Sequence, residues 1–131
     1  MQIRAFDEVI EESNFIRLHL PLNDDTRHII DARIIEKMID GTIIINASRG
    51  GLIDEDAAYE DLKSGKLGGL GLDTFEIEPP KESPLFGLNN VVPTPHTGAH
   101  SQEATNNMVN WSVNNLIDVL NDKDCQYIVN K

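Results

Sequence analysis

Residues 42–57, TIIINASRGGLIDEDA, hold the reading that decides the fold. The TIII run has no polar alternation and is strongly β-branched, the pattern of a strand buried on both faces of a parallel sheet. It is followed at once by Ala47, Ser48 and Arg49, so a cation stands where the strand ends. In open α/β sheets ligands bind beyond the carboxyl ends of the strands, which makes Arg49 a candidate ligand contact. Gly50 and Gly51 would let the backbone approach that ligand closely. A lone arginine reads first as a surface side chain, and the ligand reading depends on what joins it.

Outward from this stretch, period and punctuation alternate. FDEVIEES (6–13) reads as a short helix and NFIRLHL (14–20) as a strand halted by Pro21. Asp31 is placed to cap ARIIEKMID, with Ile34, Ile35, Met38 and Ile39 on one face and Gly41 closing it. Asp54 opens EDAAYEDLKSG, which Gly65 ends, and LGGLGLDTF (67–75) is a third strand. A proline-rich loop, EIEPPKESP, leads to NNVVPTPH, a short fourth strand interrupted by proline, and residues 101–122 form a long closing helix. CQYIVNK is too short to assign. The alternation predicts βαβ units with right-handed crossovers: an α/β, partial Rossmann-like fold with a parallel sheet flanked by helices.

Length and charge narrow the function classes. The 131 residues amount to a single layered unit. Eleven Lys plus Arg against twenty-two Asp plus Glu leave a formal charge of -11, which opposes nucleic acid and anionic membrane surfaces as partners. No apolar run is long enough to span a bilayer, and residues 1–13 lack the apolar core of a signal peptide. One cysteine, Cys125, forms no internal disulfide, which fits a reducing cytoplasm.

A parallel sheet sends the loops after residues 46, 73 and 94 to one rim. They carry Ser48 and Arg49, then Asp73, Glu76 and Glu78, then His96 within TPHTGAH. Taken singly, the glutamates read as solvated loop acids, Asp73 as a helix cap and His96 as a turn residue after Pro95. Together, a strand-end arginine, carboxylate and histidine are far more specific. Gly68, Gly69 and Gly71 lie within a strand, not between strand and helix, so they read as close packing against the preceding helix and not as a phosphate loop. A metal site has no support: of His19, His28, His96 and His100, only the last two stand four apart, across Pro95 and Gly98.

LHLPL, INASRGGLIDEDA, GLGLDTFEIEP and SPLFGLNNVVPTPHTGAHSQEA together resemble, in order and spacing, the NAD-binding domain of the D-isomer-specific 2-hydroxyacid dehydrogenases, the family of phosphoglycerate dehydrogenase and glyoxylate reductase. The resemblance implies NAD (or NADP) as cofactor and a small 2-hydroxy or 2-keto acid as substrate. It implies that Arg49 holds the substrate carboxylate and carbonyl, that His96 is the general acid or base, and that Glu78 is the carboxylate partner of that histidine. It further implies a cofactor site lined by His19, Ala47, Ser48, Arg49, Asp73, His96 and Gly98.

Family members also carry a substrate domain and, opening the cofactor domain, a G-x-G-x-x-G strand and helix. Neither stands in these 131 residues, which resemble the second half of the NAD-binding domain plus the helix that returns from it. The expectation is a truncated dehydrogenase segment, inactive as this chain alone, or else a catalytically silent binding module derived from it. The strand NFIRLHL then lacks its family neighbour, and an apolar edge bearing Phe15, Ile16, Leu18 and Leu20 predicts a homo-oligomer, a dimer. The competing expectation is a monomer whose edge is covered by residues 1–13 or by CQYIVNK.

Overall fold

The computed structural model describes residues 2–128. The chain divides into two compact units, Met1–His96 and Thr97–Lys131.

The first unit is built on four parallel strands in the order β1-β2-β3-β4: β1 (Phe15–Leu18), β2 (Thr42–Asn46), β3 (Leu67–Leu72) and β4 (Val91–Pro93). Helices α1 (Phe6–Glu12), α2 (Ala32–Lys37) and α3 (Glu55–Ser64) lead into β1, β2 and β3, and a single 3-10 turn, Pro84–Gly87, leads into β4. Register sorts the side chains. Ile16, Ile44, Leu70 and Val91 lie in one row across the sheet and are all buried, with Leu18 and Leu72 beside them. This face packs with Ile10 of α1, Ile35 of α2, and Ala58 and Leu62 of α3.

The next row, Arg17, Ile45, Gly71 and Val92, belongs to the opposite face, where Val92 is 67% exposed, Ile45 41% and the neighbouring Phe15 71%. The apolar TIII run therefore has one covered face, not the two its composition predicts. The run is apolar throughout because parallel strands normally bury both sides, and no helix of the first unit's described residues closes this one. Ile16 and Leu18 point into the core, so they contribute nothing to an apolar edge; of the expected edge set only Phe15 and, at 37%, Leu20 are exposed.

Local chemistry sets the helix ends. Asp31 accepts from the Ile34 amide and Asp54 from the Ala57 amide, each an N-cap satisfying an orphan donor. Gly65 ends α3 in the left-handed conformation that only glycine adopts without penalty. Helix α2 stops earlier than Gly41: Met38 is already extended, and Ile39 is 37% exposed. The carbonyls released there are taken up elsewhere, Met38 O by Lys66 Nζ at 2.7 Å and Ile39 O by Thr42 Oγ1 at 2.7 Å. Gly68 does pack closely, but against a turn, not a helix: a Cβ there would lie 2.3 Å from the Gly41 carbonyl oxygen.

The second unit contains α4 (Gln102–Leu120), capped by Ser101, whose hydroxyl accepts from the Ala104 amide. No residue of α4 is buried; Trp111 is 68% exposed and Leu116 60%. Among the described residues no helix is long and apolar enough to cross a membrane. Of CQYIVNK, the last three residues lie outside the described part.

Candidate active site at the strand-end rim

Beyond Asn46 the backbone folds into a short loop stabilised by that residue's own side chain. Asn46 is 1% exposed; its amide nitrogen donates to Arg49 O at 2.8 Å and its oxygen accepts from the Ser48 amide at 3.1 Å. Ser48 ties the same loop to the end of β1 by donating its hydroxyl to Leu18 O at 2.6 Å. That hydroxyl is thus engaged within the protein. Arg49 projects from the loop with its guanidinium anchored on Ser48 O at 2.7 Å. Asn46 escaped the sequence reading; a polar residue closing an apolar run was its signal.

Gly50 and Gly51 serve the protein's own packing. A Cβ on Gly50 would stand 1.8 Å from the Phe75 carbonyl oxygen, so this loop and the one after β3 meet backbone to backbone. Gly51 has φ +77, where a side chain is strained. The close approach anticipated for a ligand is made instead to Phe75.

The loop after β3 delivers two carboxylates. Asp73 donates its amide to Asn46 O at 3.0 Å and accepts from Thr94 Oγ1 at 2.6 Å, tying the ends of β2, β3 and β4 together. Glu78 accepts from the Phe75 amide at 3.0 Å through one oxygen and meets His96 Nδ1 at 2.9 Å through the other. The hydrogen bond from His96, then that from the Phe75 amide, with the Arg49 charge also contributing, holds the Glu78 carboxyl below its ordinary value. His96 has φ +53, a left-handed turn uncommon outside glycine and found at functional sites. That backbone places its Nδ1 on Glu78. Its i, i+4 relation to His100 is therefore not helical.

Of the clefts adjoining these groups, two reach the strand ends. One, of about 300 Å³, is lined by Phe75, Glu78, Pro79, Pro80, Pro95 and His96. The other, of about 540 Å³, runs along the uncovered sheet face past Ile45, Gly71 and Val92 to Ala47, Asp73 and Thr94 at the rim. Arg49, Asp73, Glu78 and His96 thus share one rim, with Ala47 exposed beside them and His19 exposed just past the end of β1. Gly98 falls in the second unit.

Residues 1–98 match the family model for the D-isomer specific 2-hydroxyacid dehydrogenase, NAD binding domain. A hydroxypyruvate reductase of Thermotoga maritima is 54% identical over 101 residues, covering 75% of this chain and 33% of the relative. A D-3-phosphoglycerate dehydrogenase of Methanocaldococcus jannaschii is 52% identical over 98 residues, covering 75% of this chain and 19% of the relative. Among solved structures, D-lactate dehydrogenase with NAD+ from Lactobacillus jensenii superposes with a TM-score of 0.87 at 28% identity, covering 98% of this chain and 43% of that one. The chain spans a third or less of the length of these two curated relatives. By its sequence match and its fold, the chain belongs to the family of D-isomer specific 2-hydroxyacid dehydrogenases, in their NAD-binding domain.

Proposed function

We propose that this chain supplies the catalytic rim of an NAD-dependent dehydrogenase interconverting a D-2-hydroxy acid and its 2-keto acid. The observation that carries the proposal is the His96 Nδ1 to Glu78 contact of 2.9 Å on the rim that also bears Arg49. In keto-acid reduction a protonated His96 gives its Nε2 proton to the carbonyl oxygen, while Glu78 stabilises the imidazolium and fixes the ring through Nδ1. Arg49 offers a planar fork to the substrate carboxylate. When bound, the nicotinamide supplies or receives the hydride.

The residues present suit one end of that cofactor. The cleft from Gly71 to Ala47, Asp73 and Thr94 is apolar along the sheet and polar at the rim, the character a nicotinamide ring and its amide need. No G-x-G-x-x-G stands in these 131 residues, so the phosphate cradle has to come from outside them. Weak NADH binding by this chain alone follows, and a micromolar dissociation constant in a fluorescence titration would contradict it.

Grafting tests the reading. The segment replaces its counterpart in the Thermotoga hydroxypyruvate reductase, and the chimera is assayed for NADH-dependent reduction of hydroxypyruvate. An active chimera supports the proposal, and a folded, inactive one supports the silent module instead. Within an active chimera, His96→Ala should lower kcat by about 10²- to 10⁴-fold, the usual worth of a positioned acid or base. Arg49→Lys should also be severe, because an ammonium lacks the bidentate fork. Near-parental turnover in either variant removes the assigned role.

A further inference from the structure

A second histidine–carboxylate pair lies outside the proposed reacting set. His28 belongs to the turn between β1 and α2 and holds φ +51. Its Nε2 is 2.8 Å from Glu76 Oε1, and its Nδ1 is 3.9 Å from Asp54 Oδ2. The backbone on either side of the pair is committed as well: the His28 amide donates to Gly51 O at 2.8 Å, and the Glu76 amide donates to Glu55 Oε1 at 2.8 Å. Gly51 is two residues after Arg49, and Glu76 is two residues before Glu78. His28 therefore spans the two loops that carry the rim's cation and its carboxylate.

We infer that His28 and Glu76 are positioning residues, a clip that fixes the Glu78 loop against the Arg49 loop and so aims Glu78 at His96. The stretch from Phe75 to Glu78 has no strand or helix of its own, and its placement rests on side-chain and backbone ties. At one end the Gly50 backbone stops Phe75. At the next residue Glu76 is held from two sides, by the His28 ring and, through its amide, by Glu55. Glu78 then closes back on the Phe75 amide at 3.0 Å. Release of Glu76 frees the middle of this stretch while every direct partner of Glu78 stays in place. The groups facing the His28 ring are Asp54 and Glu55 at the start of α3 and Glu76 from the loop; Glu55 faces Glu76 as well.

Arranging Glu78 matters catalytically only if the proposed roles of Glu78 and His96 hold, so the test reads geometry without turnover. The carboxyl of Glu78 is titrated by carbon-13 NMR in the 131-residue chain and in His28→Gly, Glu76→Ala, Glu76→Gln and His96→Ala variants. Glycine accepts the left-handed backbone at position 28, so His28→Gly removes the ring and spares the turn. Glu76→Ala removes the same bond from the other side if that variant does not fold. The expected result is an upward shift of the Glu78 titration in His28→Gly and Glu76→Ala, toward its position in His96→Ala. Glu76→Gln, which keeps an acceptor for the ring N–H, should restore the parental position. Parental titration of Glu78 in folded His28→Gly and Glu76→Ala overturns the clip, as does a Glu76→Gln shift equal to that of Glu76→Ala. An inactive chimera whose titrations behave as expected defeats the catalytic reading alone.

Discussion

Glu78 is the residue on which the rim's electrostatics converge. Its carboxyl is held below the ordinary glutamate value chiefly by the hydrogen bond from His96. A depressed acid contributes stability that is present above its unfolded-state value and lost as pH falls through the lower folded-state value. Glu78→Gln should therefore be less stable than the parent at neutral pH, and the two chemical-denaturation midpoints should converge at the acid end. Parallel curves throughout would mean that the carboxylate does not stabilise this loop. Residues of this sort were legible in the sequence to different degrees. Arg49, Glu78 and His96 each end a strand or follow one within a few positions, so topology alone brings them together. His28 and Glu76 are 48 positions apart, and no periodicity or motif links them. Their pairing follows from how two loops lie in space.

At the level of elements, the caps carried most of the information. Asp31, Asp54 and Gly65 each mark a helix end in the sequence, and each serves there. The early exit of α2 was hidden because its freed carbonyls are taken up by Lys66, just before β3, and by Thr42, at the start of β2. The 3-10 turn was hidden too, although Ser83 followed by Pro84 is a local start signal: Ser83 Oγ accepts from the Leu85 amide at 3.3 Å. The loop carrying Gly50 offers the sharpest test at this scale. Gly50→Ala places a methyl against the Phe75 carbonyl, with backbone on both sides and no flexible side chain to give way. A loss of about 1–3 kcal/mol is expected from such overpacking. Urea denaturation would register it, and an unchanged midpoint would show that the two loops separate easily.

For the molecule as a whole, the uncovered sheet face and the charge oppose one another. Ile45 on β2 and Val92 on β4 leave this face apolar, and Phe15 adds exposed apolar surface on the edge strand β1, which pairs with β2 alone among the named strands. We propose that a second copy of the chain pairs along the β1 edge at Phe15, whose strand does not line the cleft running from Gly71 to Thr94. A net charge of -11 makes two copies repel. Screening that repulsion should raise the dimer fraction with salt, which light scattering from low to high ionic strength would follow. Phe15→Gln should lower it without altering charge; a monomer at every salt concentration ends the proposal.

The exposed Trp111 gives the chain an optical division of labour. It is the only tryptophan, and it sits on α4 in the second unit, while Tyr59 is partly buried against the core of the first. Emission excited at the red edge of the aromatic band thus watches one unit, while far-ultraviolet dichroism watches both, since α4 contributes to it alongside α1, α2 and α3. If the units melt as one cooperative body, the two signals fall together on heating. If they melt separately, the dichroism falls in two steps and tryptophan emission follows only one of them. The lone indole then becomes a ready-made reporter of water at α4, through the blue shift that accompanies removal of water from its ring.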